Sequence, residues 1–158
     1  MQSELSQRAY AVFQAYTEAI PPMTLRGGYA VDSYAAAPPY DAVADAPTDD
    51  YLEAYTFWGL AYLDAASWCH YLPPLIDYAL RHLDDPRMVV EGLLHNLRPP
   101  DRSPPRLGAL TPDQEAVIIA FLDQIAFRED SANQELAMQA LEEWWLPNAR
   151  YRGPNPPT

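Results

Sequence analysis

Proline decides where this chain can be helical. The residue before a proline is pushed out of helical geometry, and a proline inside a helix costs about 3 kcal/mol. The 158 residues include 17 prolines, set against stretches that otherwise keep helical spacing. The sharpest case is YLPPLIDYAL (71–80), where Pro73 and Pro74 lie in the most apolar part of the chain. Proline is tolerated in the first turn of a helix, where its missing N–H would have had no partner. The pattern therefore predicts a corner. A short helix, LDAASWCHYL with Asp64 as cap, ends there, and a new helix begins at the diproline with Tyr71 or Leu72 as its cap region. Leu72, Leu75, Ile76, Ala79, Leu80 and Leu83 then trace one apolar stripe. The alternative is a single kinked helix through both prolines.

Similar punctuation divides the remainder. Leu5, Ala9, Val12, Phe13, Tyr16 and Ile20 recur at helical spacing, predicting a helix over 3–20 with Ser3 as N-cap and Pro21-Pro22 as its end. Residues 23–48, with Gly27-Gly28, Pro38-Pro39 and Pro47, keep no period and read as a long loop packed through Tyr29, Val31, Tyr34 and Tyr40. Thr48, Asp49 and Asp50 favour a helix start, with Tyr51, Leu52, Tyr55 and Trp58 as its buried face and Gly59 as its stop. Asp84 or Asp85 is expected to cap a helix with Pro86 in its first turn and Val89, Val90, Leu93, Leu94 and Leu97 buried. Thr111, Pro112 and Gln114 form a capping box ahead of a central core helix. Ser131 and Gln134 predict a second box, with Ala137, Ala140, Leu141, Trp144 and Trp145 on the buried side. The expected fold is all-α: a single compact array of about six or seven helices over 1–150, with 151–158 a flexible tail. DYALRHLDDPRMVVEGLLHNL has the helix–turn–helix order of a HEAT-type hairpin, but no second copy follows at a repeat period.

Charge and cysteine usage narrow the function classes. The formal net charge is −12, all ten basic residues are arginine, and lysine is absent. Such a chain is poorly suited to nucleic acid or an anionic membrane and suited to a basic partner. No run of about 20 uncharged apolar residues suggests a membrane span. A single cysteine, Cys69, excludes an internal disulfide framework, and MQSELSQR lacks the basic flank and apolar run of a secretory signal. The expectation is a cytoplasmic protein.

No motif carries recognisable catalysis. Cys69 and His70 are helix neighbours about 100° apart, so they do not form a ready nucleophile–base pair. Cys69 reads as a small buried hydrophobe. His70, His82 and His95 keep no metal-ligand spacing, and Gly27-Gly28 belongs to no phosphate-binding pattern, so neither metal nor cofactor is expected. Glu142-Glu143 read as a solvated face. Residues 27–64 are more specific: seven acidic residues, eight aromatic ones and no basic one. Two readings stand. Asp32, Tyr34, Tyr40, Asp41, Asp45, Asp49, Asp50, Tyr51, Glu53 and Tyr55 form a partner-binding surface, with tyrosines as anchors and carboxylates that speed encounter. Otherwise the tyrosines pack the loop onto the helices while the carboxylates face water. Arg98, Arg102 and Arg106, beside prolines, either dock this loop or are solvated; their loop is the next candidate surface.

The run from FWGLAYLDAASWCHYLPPLIDYALRHLDDP through LLHNL to LGALTPDQEAVIIAFL resembles a family of small bacterial proteins classed as a domain of unknown function. The motifs are Tyr71-Leu72-Pro73, Asp85-Pro86, Leu97, Pro99-Pro100 and Leu110-Thr111-Pro112 with Gln114, spread over 51–127. The chain departs at Tyr62-Leu63-Asp64-Ala65, where the family pattern has Phe-Leu-Thr/Ser-Pro. These residues are caps and corners, so the resemblance implies a shared fold and no catalytic residue. The functional expectation is a non-enzymatic acidic binding protein, an immunity protein that neutralises a cognate bacterial toxin by contact with a basic surface. The alternatives are a helical adaptor or scaffold and, more remotely, a hydrolase with a site built across helices.

Overall fold

Residues 3–152 are described by the structure, a computed structural model. Those residues contain eight α-helices and no strand, which is the all-α array expected.

The helix starts that rest on a side-chain cap fall where local chemistry put them. Ser3 Oγ accepts from Ser6 N–H and opens α1 (Glu4–Val12). Thr48 caps α4 (Asp49–Gly59), and Thr111 with Gln114 closes a complete capping box on α7 (Pro112–Ala126). The first helix is shorter than its spacing suggested. Phe13, fully buried, leaves helical geometry, α2 (Gln14–Thr17) follows as a separate turn, and Ile20 is exposed. The apolar pull of Phe13 into the core wins over continuation of the helix.

The diproline is not a corner. α5 (Ala65–Arg81) runs 17 residues with Pro73 and Pro74 inside it. Each proline removes one backbone N–H, those that would have reached Cys69 O and His70 O. Trp68, Tyr71, Leu72, Leu75 and Ile76 are fully buried on the same helix. Burying each such side chain stabilises by about 1.5–3 kcal/mol, which together outweighs roughly 3 kcal/mol per interior proline. α5 is the central rod, packed on α1, α2 and α6 (Met88–His95).

Residues 23–48, expected to be loop throughout, begin with α3 (Leu25–Asp32). Thr24 accepts from Gly27 N–H as its N-cap. The Gly27-Gly28 pair that argued against a helix is what allows this one. A Cβ on Gly28 would lie 2.3 Å from Gly59 O, so α3 and α4 touch backbone to backbone. Two other starts shift. α6 is capped at Arg87 rather than Asp84 or Asp85, and Pro86 precedes it, because the Asp85 carboxylate accepts from Arg87 Nε. α8 (Gln134–Ala140) is capped at Asn133 without a side-chain bond. The Gln134 amide donates to Arg128 O, so no second capping box forms. α8 then widens into a π-helical turn, Leu141–Trp145, in which Trp145 Nε1 donates to Leu97 O at 2.7 Å. Of the expected tail 151–158, Tyr151 N–H donates to Glu143 O and Arg152 pairs with Glu115; residues 153–158 lie outside the described residues.

Two substitutions test this packing by chemical denaturation. Ile76→Ala is expected to cost about 2–5 kcal/mol, as for other fully buried aliphatic residues. Gly28→Ala is expected to cost about 3 kcal/mol, at the upper end of overpacking, although alanine favours a helix by about 1 kcal/mol. A neutral Gly28→Ala would mean that α3 and α4 do not touch through their backbones.

Candidate functional site

The candidate surface is built on α3, α4 and the loop 33–48 between them. That loop is held by a buried polar node. Arg26, in the first turn of α3, grips Asp45 with Nε and Nη2 at 3.1 and 2.9 Å. Tyr51 O–H donates to Asp45 Oδ1 at 2.8 Å, and Asp41 N–H donates to Oδ2 at 2.8 Å. The Tyr51 oxygen also accepts from Arg26 N–H and lies 3.3 Å from the Tyr71 hydroxyl of α5. Burial works to raise the Asp45 carboxyl, and the bonds from Arg26, Asp41 N–H and Tyr51 outweigh it, leaving the group below its ordinary value. Burial pushes the Tyr51 phenol far above its usual range. Asp45 and Tyr51 are thus interior to the fold, where no partner could touch them without opening the loop.

The other sequence-predicted residues divide in two. Asp49 is held by Arg81 through two bonds at 2.8 and 2.9 Å, and Glu53 by Arg87 and Tyr78. These cations come from α5 and the α5–α6 turn, so they balance carboxylates that lie in a stretch with no basic residue of its own. Asp41 caps its own turn, accepting from Val43 and Ala44 N–H, which hold its carboxyl low. Tyr55 packs edge-on between Tyr29 and Tyr51. Asp32 accepts from Tyr62 O–H, and Asp50 is exposed with no cation on it among the described residues. Tyr40 is half-exposed. Tyr34 is fully exposed at 101% and stands at φ 61°. It occupies the left-handed position after α3, where Ala35 N–H reaches Ala30 O and Tyr34 N–H reaches Val31 O. Glycine normally fills this position, and a tyrosine there is strained by roughly 1–2 kcal/mol.

The outer face of α4 was not read from the sequence. Ala54, Phe57 and Trp58 on α4, with Ala61 and Tyr62 on the 3-10 turn that follows it (Leu60–Tyr62), fall at i, i+3, i+4, i+7 and i+8 and are all exposed. Trp58, expected in the core, is 47% exposed, and its ring meets Phe57 edge-on at 4.8 Å. Tyr51, Leu52, Tyr55, Thr56, Gly59 and Leu60 form the inner face, so α4 is apolar on both sides. The missed signal was a second apolar stripe in step with the first. Solvent-facing apolar surface of this kind marks interaction sites.

Elsewhere the reactive side chains are occupied. Cys69 is buried, and burial pushes its thiol up to about 12. His70 Nδ1 donates to Tyr16 O at 2.7 Å. Among the described residues no three metal-ligating side chains come together. Glu143 is not a solvated residue: it is buried and takes both oxygens to Arg98, at 2.8 and 3.2 Å. Arg106 is buried and reaches the 27–64 stretch through the backbone carbonyls of Leu60 and Leu63 rather than through its carboxylates.

The chain matches the model of a family of unknown function (DUF6714) over residues 1–149 and belongs to that family. No curated protein and no solved structure matches it. No helix among the described residues is long and apolar enough to cross a membrane.

Two measurements check the site. Tyr34→Gly is expected to raise stability by about 1 kcal/mol through relief of the left-handed strain; an unchanged or lower value would show that no strain resides there. Asp45→Asn is expected to cost about 3–5 kcal/mol at neutral pH by leaving Arg26 without its buried counter-charge. Because the folded Asp45 carboxyl lies below its unfolded value, its contribution is full above about pH 4 and is lost as pH falls through the folded value. The stability gap between Asp45→Asn and the parent should therefore narrow in acid, read from unfolding curves at stepped pH.

Proposed function

We propose that this protein is a non-enzymatic binding protein that docks a basic protein against the outer face of α4. More specifically, it is a cytoplasmic immunity protein that neutralises a cognate bacterial toxin. One observation carries this reading: Ala54, Phe57, Trp58, Ala61 and Tyr62 form a stripe that stays exposed, with Trp58 at 47% its most open large side chain. Phe57, Trp58 and Tyr62 supply the large, rigid aromatic area that anchors interfaces. Around them stand Asp50, one turn before Ala54, and Asp32, bonded to Tyr62, neither paired with a cation among the described residues. Asp49 and Glu53 are largely neutralised by Arg81 and Arg87, so encounter depends on the unpaired set together with the net charge of −12. A toxin that acts on nucleic acid or nucleotides has a basic cleft, and an acidic inhibitor with an aromatic ridge complements it in both charge and shape.

The test begins with capture from the native host by the parent chain and by Phe57→Ser/Trp58→Ser. The relevant partner is a basic protein retained by the first and lost by the second. With that protein purified, Trp58→Ala should speed dissociation roughly 30-fold, the effect of a hot-spot anchor. Converting Asp32 and Asp50 together to Asn should slow association and flatten its salt dependence. Unchanged kinetics in both variants would place the interface away from α4. The toxin assignment is separate. Expression of the partner alone should arrest growth and co-expression of this chain should relieve it; a harmless partner ends the immunity reading while leaving the binding one standing.

A further inference from the structure

The end of α3 breaks two local rules within three residues. Asp32 is the last residue of the helix, where the backbone dipole is already negative, and the last turn holds no basic residue. A cation is favoured at that position, and a carboxylate there works against the fold. Tyr34 follows at φ 61°, in the left-handed region that glycine normally fills, with its ring wholly in solvent. Nothing in the described fold offsets either choice. Asp32 forms no ion pair among the described residues, and the Tyr34 side chain buries nothing. Strained or locally unfavourable residues of this kind gather where function requires them.

Tyr62, on the turn after α4, joins these two residues. Its O–H donates to Asp32 Oδ1 at 2.8 Å, and Oδ2 has no donor among the described residues. That bond raises the Tyr62 phenol above its ordinary value, and the nearby Tyr34 phenol adds to the rise. The three groups therefore share one neighbourhood. Asp32 is half-buried, while Tyr62 and Tyr34 are exposed, so the carboxylate and both rings are open to a ligand. The ligand that answers all of them is a planar cation. A guanidinium donates to a carboxylate, is attracted by the face of an aromatic ring and complements the negative end of a helix. An ammonium shares the charge but lacks the plane that stacks on a ring. A neutral or anionic ligand leaves the Asp32 charge and the helix dipole without a counterpart.

We propose that Asp32, Tyr34 and Tyr62 together receive an arginine side chain of the basic partner, and that the strain at Tyr34 is kept for this contact. The proposal rests on the α4 reading, because Tyr62 belongs to the exposed stripe. The probe is N-acetyl-Gly-Arg-Gly amide, titrated into the full chain at low ionic strength and followed by amide NMR shifts. A second peptide carries citrulline, which keeps the shape of arginine and removes its charge. Saturable shifts centred on residues 32–35 and Tyr62 are expected, with a Kd of about 10 mM and the citrulline peptide at least about fivefold weaker. Asp32→Asn should weaken binding about tenfold and Tyr34→Gly about threefold. Neither should lower the unfolding midpoint, since each removes a feature that opposes the fold. A residue serving only the fold would show the reverse, a lower midpoint with parent-like binding. No saturation overturns the proposal, as does equal binding of the two peptides or parent-like binding by either variant. Shifts spread evenly over the exposed carboxylates also overturn it, because general attraction to a net charge of −12 gives that pattern. The peptide test uses neither the partner nor Phe57 and Trp58. Its failure leaves capture that depends on Phe57 and Trp58 standing, and failure of that capture leaves a saturable arginine site standing.

Discussion

A buried arginine that bonds carbonyls, with no carboxylate in an ion pair with it among the described residues, holds the centre of this fold. Arg106 enters from the proline-rich segment after α6 and donates to Leu60 O and Leu63 O, where α4 ends, and to Asn96 Oδ1, where α6 ends. Its guanidinium lies 5.2 Å over the Trp68 ring of α5. Carbonyls at a helix C-terminus lack intrahelical donors and carry partial negative charge, so a cation there does the work of a cap. Burial lowers the Arg106 pKa to about 10, which leaves the group charged at neutral pH. One side chain therefore links three helices and the connecting segment. The four N–H groups bound to Asp101 shape the turn that delivers it. Loss of either residue would loosen the α4–α5 junction and, with it, the presentation of the α4 face.

The parts of the fold legible in the sequence are those whose cause is local. Ser3, Thr48 and the Thr111–Gln114 box act within three residues of themselves, and the structure keeps all of them. The misreadings share a different cause. α3 exists because Gly28 meets Gly59 across 31 positions, and propensity alone gives Gly-Gly no reason to be helical. α5 passes through Pro73-Pro74 because its flanks are wholly buried, and burial is a property of the assembled core. Both are tertiary overrides of a local rule.

The site shows the same division. Residues 27–64 look uniformly acidic when read along the chain, yet Arg26, Arg81 and Arg87 reach Asp45, Asp49 and Glu53 from outside that segment. Ion pairing across 19 to 34 positions leaves no mark in the sequence. The strain at Tyr34 is also a backbone property, invisible to composition. The outer stripe of α4 was legible in principle, because spacing alone defines it. It was masked by the stronger inner stripe on the same helix.

The contact between α3 and α4 has a mechanical consequence. Where two glycines meet, no side-chain layer lies between the helices to compress, shear or change rotamer. The two helices form one stiff plate, pinned at one end by Arg26–Asp45 and at the other by Arg106. A plate of this kind has little slack to take up on contact. Recognition on its outer surface would proceed without remodelling of the backbone beneath, and a partner's entropy of fitting would fall on the partner itself.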